Sequence, residues 1–438
     1  MQSEWPIVPA ADCCDLIVDC VNKTAPIAEG ATPFRMIRTT NVRNGFIDLA
    51  DCKFVDEETF RIWTRRAKVL DSDVILTREA PIGEVGLVRG NQNIFLGQRL
   101  MQYRANRSLL DPRFLCYAFL SPQLQHQFGA HEGSGSVVSH IRVGDCSKFK
   151  VPLPPLPVQR EIAELLGSID ERVLLLRQTN ATLESIAQAL FKSWFIDFDP
   201  VRAKAEGREP EGMDAATAAL FPAEFEESAL GLIPKGWRAG SVANMAALNA
   251  ASWTARRAPT EVAYIDLAGV KANVFDPPQR LLFEDAPSRA RRELRSGDTL
   301  VGTVRPGNRS FGFIADAEPG LTGSTGFAVL SPLVPNAAAF VYLCATRDEN
   351  IERLAALADG GAYPAVRPEL VLATVSVLPS VNVLNAFHEV ASPLLRGIAE
   401  NTRRLRLLAE LRDTLLPRLI SGKLRLSTAQ DAVEGAIA

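Results

Sequence analysis

The sequence predicts an α+β chain: two mixed α/β globules joined by two long helices packed antiparallel, the two halves forming a pseudo-twofold internal repeat. Three observations lead there. The chain matches itself at an offset of 225 residues, and two stretches carry the alternating 3-and-4 apolar spacing of a coiled coil. Proline-studded strand ends, in "PPLPVQREIAELLGSID" at 154–170 and "LPSVNVLNAFHEVASPLL" at 378–395, run straight into both.

At 438 residues the chain exceeds one ordinary domain of roughly 100–200 residues. Its 47% hydrophobic and 23% charged residues suit a globular protein, and no apolar run approaches the roughly 18 residues of a membrane span. The N-terminus places Glu4, Asp12 and Asp15 where a signal peptide needs cations, so a cytoplasmic protein is expected.

The repeat organises the chain. An offset of 225 aligns Asp73 with Asp298, Pro81 with Pro306, Arg142 with Arg367 and "LP" at 153–154 with "LP" at 378–379. Upstream, "FRMIRTTNVRNGFID" (34–48) resembles "VAYIDLAGVKANVFD" (262–276) at an offset of 228. The first globule takes residues 1–155. It alternates β-branched strands such as "DVILT" with turns, and carries one predicted helix over "DPRFLCYAFLSPQLQHQF". The first long helix follows at 156–198, with apolar positions 162, 165, 169, 173, 176, 183, 187, 190 and 194 and Asn180 set among them. An acidic, Pro- and Gly-rich linker is read at 199–234. The second globule takes 235–380, with one predicted helix over "NAAAFVYLCATRDENIERLAAL". The second long helix takes 381–426, with apolar positions 387, 390, 394, 398, 405, 408, 415 and 419 interrupted by Asn401 and Arg412; residues 427–438 read as a flexible tail. Each apolar stripe needs a partner, and the other helix supplies it. Asn180 and Asn401 would then set the register of the pair.

Composition and motifs exclude several chemistries. Seven scattered cysteines form no C-x-x-C pair, and the four histidines lack metal-ligand spacing. "SGKL" at 421–424 lacks the first glycine and the final hydroxyl of a phosphate loop. "FDPPQR" at 275–280 has Gln279 where an amino-methyltransferase needs an aromatic, and no glycine-rich cofactor loop precedes it. The net charge of −3 argues against a uniform basic coat, but cations cluster: four in "RIWTRRAK" at 61–68, and six arginines (289, 291, 292, 295, 305, 309) between 287 and 309. A non-catalytic binding protein is expected.

The stretch "PLPPLPVQREIAELLGSIDERVLLLRQTNATLESIAQALFKSWFIDFDPVRAK" (152–204) resembles the central conserved region of the specificity subunits of type I restriction-modification systems. "LGLIPKGW" (230–237) resembles the start of their second target-recognition domain, and "LRDTLLPRLISGKLRL" (411–426) their C-terminal conserved end. The second junction departs from the pattern: "PSVNVLNAFHEV" lacks the Pro-x-x-x-Gln-x-x-Ile of "PLPVQREI". The resemblance implies a subunit without catalysis of its own. It would bind a bipartite, gapped double-stranded DNA site through two target-recognition domains, and carry two methyltransferase (M) subunits and, through them, restriction (R) subunits. S-adenosylmethionine, ATP and magnesium would belong to those partners. The alternatives are the specificity subunit of a type IIB-like enzyme and a two-headed scaffold unconnected with methylation.

Base readout favours Arg, Asn, Gln, Ser and Thr on loops, and phosphate contact favours Arg and Lys. In the first globule the candidates are Arg35, Arg38, Thr39 and Asn41, then Arg78, Gln98 and Arg99, then Ser134, Ser136, Ser139 and His140. In the second they are Arg305, Asn308, Arg309, Ser324, Thr325 and Tyr363. Phe191, Trp194 and Phe195, with Arg412 and Arg418, are candidates for holding partner subunits.

Overall fold

The computed structural model describes residues 5–90, 92–131, 140–254, 256–361 and 363–437. The chain divides into two compact units, one made of Met1–Leu174 with Leu405–Ala438 and the other of Leu175–Arg404. Both mix helix and sheet.

In the first unit a four-stranded antiparallel sheet has the order Cys14–Asp19, Leu100–Ala105, Val74–Arg78, Ile82–Leu87. The central strand reads Val-Ile-Leu-Thr-Arg, and its first four residues are buried because both faces are covered. Beside it, Phe34–Ile37 pairs antiparallel with Lys53–Val55 and parallel with Ile94–Leu96. The second unit repeats this order. Ala246–Leu248, Phe327–Pro332, Thr299–Gly302 and Phe311–Phe313 form its antiparallel sheet. Glu261–Ile265 pairs antiparallel with Gln279–Leu282 and parallel with Leu321–Ser324. One strand, Ala290–Glu293, is added at the edge of that sheet, inside the arginine-rich run. Asp73 and Asp298 do the same local work: each carboxylate accepts from an amide three residues upstream, Leu70 at 2.7 Å and Arg295 at 2.8 Å.

Each predicted head helix is two helices. Pro112–Leu120 and Pro122–Gly129 are separated at Ser121, where Pro122 removes an amide donor and holds Ser121 extended. Ala338–Thr346 and Asp348–Ala356 part at Arg347, also extended at ψ 148°. The first of each pair is buried: Phe114, Leu115, Ala118 and Phe119 in one unit, and every residue of Ala338–Thr346 in the other.

Two 40-residue helices, Leu156–Phe195 and Val381–Ile420, follow the heads. The starts are built differently. Gln159, fully buried, accepts from the Asp111 amide at 2.8 Å and donates to the Leu109 and Pro154 carbonyls at 2.9 and 2.8 Å, which ties the helix start to the head. At the offset of 225 the second helix has buried Leu384 instead. The polar tie moves one residue on, where Asn336, the counterpart of Asp111, donates to Asn385 Oδ1 at 2.9 Å. The missing glutamine is thus replaced by an asparagine pair.

Within the second unit the helical segments run in opposite directions, since Asn180 meets Asn401 and, further along the first helix, Phe191 meets Phe387. Asn401 Nδ2 donates to Asn180 Oδ1 at 2.9 Å, and Asn180 Nδ2 reaches the Ile398 carbonyl and Thr402 Oγ1 at 3.3 Å. Within the first unit, Asp170 of one helix binds Arg412 of the other, Oδ1 to Nη1 at 3.1 Å, while Tyr117 donates to Asp170 Oδ2 at 2.7 Å. Burial, with the Asp170 charge beside it, pushes the Tyr117 phenol well above its ordinary range.

Two expectations about connecting segments are corrected. Residues 199–234 do not form a mere linker: Asp199–Ala205 is helical, Phe225–Ser228 pairs with Gly231–Pro234, and Val201 and Phe221 are buried in the second unit's core. Nor is 427–438 a featureless tail. Leu426–Ile437 is a helix that buries Ala429 and Val433, four residues apart on one face.

Candidate nucleic-acid interface

Three loops meet at one end of the first head. The Gly97 amide donates to the Ile37 carbonyl at 2.8 Å, which brings Gln98–Arg99 beside the turn at Arg38–Asn41. The Arg78 amide donates to the Arg99 carbonyl at 2.8 Å, and the Ile141 amide to the Arg78 carbonyl at 2.9 Å. Arg38, Thr39, Arg78, Gln98, Arg99 and His140 therefore share one end of the head. Ser134, Ser136 and Ser139 lie outside the described residues.

The second head uses the same loops. The Thr303 amide donates to the Gly326 carbonyl at 2.9 Å, and the Val366 amide to the Thr303 carbonyl at 2.9 Å. Arg305 donates its amide to the Pro364 carbonyl at 2.7 Å. Thr325, Arg305–Arg309 and Tyr363 are thereby gathered. Even the turn after the parallel strand is kept. Asn41 donates to the Arg38 carbonyl and accepts from Asp48; Gly269 does the same between Asp266 and Asp276.

Side-chain chemistry divides the candidates. Arg38 binds Asp51 at 3.1 Å, Arg99 binds Glu79 at 3.3 Å and Arg309 binds Asp348 at 2.6 Å. Surface pairs like these are worth about 0–1 kcal/mol, so exchanging the carboxylate for a phosphate costs little. Arg35 lies over the Phe54 ring at 5.8 Å, and Arg78 Nη1 donates to the Ile141 carbonyl at 3.0 Å. Gln98, Thr325 and Asn308 are exposed, while Thr39 is half-buried. Arg305 sits over the Tyr363 ring at 5.0 Å, and that ring is 74% exposed.

Five candidates do not face solvent. Asn41 is 3% exposed and its Oδ1 accepts from the Arg38 amide at 2.8 Å, so it builds the turn. Ser324 is 1% exposed and accepts from the Gly326 amide at 3.2 Å. Both are spent on backbone donors that the turns would otherwise leave unmet. Phe191, Trp194 and Phe195 are buried in the second unit's own core among Phe340, Phe387, Phe221 and Trp237, so the expected partner anchor is an intramolecular packing cluster. Their spacing is that of any buried helical stripe, which is why sequence could not separate the two roles. Arg412 is half-buried and pairs with Asp170, whereas Arg418 is exposed.

Arg289 adjoins the same loops, though it is not among the candidates named above. Its carbonyl accepts from the Thr325 amide at 2.8 Å, and its side chain binds Asp266 at 3.0 Å and the Tyr264 hydroxyl at 3.1 Å. Asp266 aligns with Arg38 at the 228-residue offset, so an acid stands where the first head has an arginine, and its arginine partner comes from a different segment. The signal in the sequence is the arginine-rich run at 287–309, which includes it. Nearby, Arg292 donates to Ser252 at 3.2 Å, and burial lowers its guanidinium from the ordinary arginine range. Among the described residues no group of three or more His, Cys, Asp or Glu could hold a metal, and no helix is long and apolar enough to cross a membrane.

Residues 22–185 match the type I restriction modification DNA specificity domain. The chain is 23% identical over 382 residues to the type I restriction enzyme HindI specificity subunit of Haemophilus influenzae, covering 76% of this chain and 82% of that protein. It is 23% identical over 391 residues to the MjaIX specificity subunit of Methanocaldococcus jannaschii, covering 85% and 81%. The crystal structure of a type I restriction-modification system S subunit from M. genitalium superposes with a TM-score of 0.53 at 16% identity, covering 95% of this chain and 96% of that one, and so shares the fold.

Proposed function

The chain belongs to the specificity subunits of type I restriction-modification systems, and on that premise we propose that it reads a bipartite, gapped double-stranded DNA site with its two heads. The observation that carries this reading is the duplication. Two units of one strand order gather arginine, amide and hydroxyl groups on corresponding loops, and each contains part of both 40-residue helices. In the proposed assembly the helices act as an antiparallel coiled-coil spacer and relate the heads by a pseudo-twofold axis. At about 1.5 Å per residue each helix spans about 60 Å, well over one turn of DNA at about 34 Å. The Asn180–Asn401 pair would hold the register.

The chain itself contributes binding and position. Two M subunits dock on it, and R subunits join through them; S-adenosylmethionine, ATP and magnesium serve chemistry on those partners, adenine methylation and cleavage, in the cytoplasm. The alternation of acids with arginines at the head ends suits DNA, because phosphates displace weak surface carboxylates and the affinity then falls with salt. Co-expression with a type I methyltransferase subunit from the same organism tests the assembly. The expected result is a complex of one chain with two M subunits; a chain that purifies alone under conditions where that methyltransferase is soluble contradicts it.

A further inference from the structure

The second head holds one side chain in a way that the first does not show. Arg305 and Arg309 bracket the turn Pro306–Asn308, and both adopt left-handed backbone, φ 47° and 60°. Non-glycine residues occupy that region at a cost, and only where surrounding structure dictates it. The dictating contacts are visible. Arg305 donates its amide to the Pro364 carbonyl at 2.7 Å, and Asp359 and Ala365 exchange amide–carbonyl bonds at 3.1 and 2.8 Å across the base of the Tyr363 loop. Turn and loop are thus tied together, and the tie brings the Arg305 guanidinium over the Tyr363 ring.

The two arginines then differ. Arg309 binds Asp348 at 2.6 Å and lies over Phe311, so its charge is directed toward the helix Asp348–Ala356. Arg305 rests on an aromatic face that is itself open to solvent. A phosphate accepts hydrogen bonds from many directions and needs no platform. A guanine accepts in its own plane, through N7 and O6, and favours a guanidinium already held in position.

We infer that Arg305, held over the Tyr363 ring, reads a guanine in the major groove of one half-site, while Arg309 contacts backbone phosphate. This rests on the DNA-binding reading above and assigns base specificity within it. Tyr363 is a positioning residue: it acts through Arg305.

The test is selection from a randomised duplex pool by the chain co-expressed with its methyltransferase subunits, comparing wild type with Arg305→Ala, Arg305→Lys, Tyr363→Ala, Tyr363→Phe and Arg309→Ala. In wild type, one position of one half-site should select G·C. Arg305→Ala and Arg305→Lys should each lower that preference about 10- to 100-fold, with the other half-site unchanged. Tyr363→Phe keeps the ring and should keep the preference; Tyr363→Ala should lose it. Arg309→Ala should weaken all sequences alike and reduce the salt slope by about 1. An intact motif in Arg305→Ala, or uniform weakening with the motif retained, overturns the assignment. A wild-type complex that selects no motif overturns the DNA-binding reading, and this inference with it.

Discussion

Asp170→Ala is expected to destabilise the first unit by about 3 kcal/mol, the lower end of the cost of breaking a buried ion pair. The side chain is 4% exposed and satisfies two groups, the Arg412 guanidinium and the Tyr117 hydroxyl, so its removal leaves the hydroxyl without its acceptor and the guanidinium without its buried partner. Arg412 has a second carboxylate, Asp413, at 2.9 Å and keeps 22% exposure, which limits the loss. Asp170→Asn keeps an acceptor and should cost less. Hydrogen exchange of the slowest amides in Pro112–Leu120 measures the effect within this unit, because a chain of two units need not unfold in one step. An unchanged exchange rate would mean that the two long helices do not depend on this pair.

Phe195→Ala is expected to cost the second unit about 3–5 kcal/mol, through lost burial and the cavity left behind. The ring is 1% exposed and sits 4.8 Å from Phe387 and 4.9 Å from Phe340, centroid to centroid. Edge-to-face contacts of this kind add to the burial energy. The prediction separates the two roles open to the Phe-Lys-Ser-Trp-Phe stretch. A core residue, when truncated, speeds exchange in Ala338–Thr346. A partner anchor would leave exchange unchanged and lose only the M subunit.

The architecture was legible because it was duplicated. The offset of 225 residues read from Asp73, Pro81, Arg142 and the "LP" pairs separates two helices of identical length, Leu156–Phe195 and Val381–Ile420. The helix breaks at Ser121 and Arg347 were less so. Apolar periodicity continues across both; Pro122 marks the first break in the sequence, whereas at Arg347 only backbone geometry shows that the chain is extended. Residues 199–234 and 427–438 take up structure for another reason: a few apolar residues in polar surroundings, such as Phe221, Ala429 and Val433, suffice to fold a short segment onto a core already present.

At the candidate interface, residue type identified the loops but not the direction of each side chain. Asn41 and Ser324 are the residues a base-reading loop would use, and also those a turn uses to satisfy its own amides. The Arg305–Tyr363 stack joins residues 58 apart in sequence, and no local pattern announces it. Nor does sequence show that the work of Gln159 passes to Asn385 in the second copy, since the offset pairs Gln159 with a leucine.

In the proposed function, two heads on one chain read two separated half-sites. Sequencing the methylated positions in the DNA of cells that carry this chain with its methyltransferase tests it most directly. One asymmetric motif with a fixed run of unread base pairs between two specific halves is expected; a single continuous motif would contradict two-headed reading.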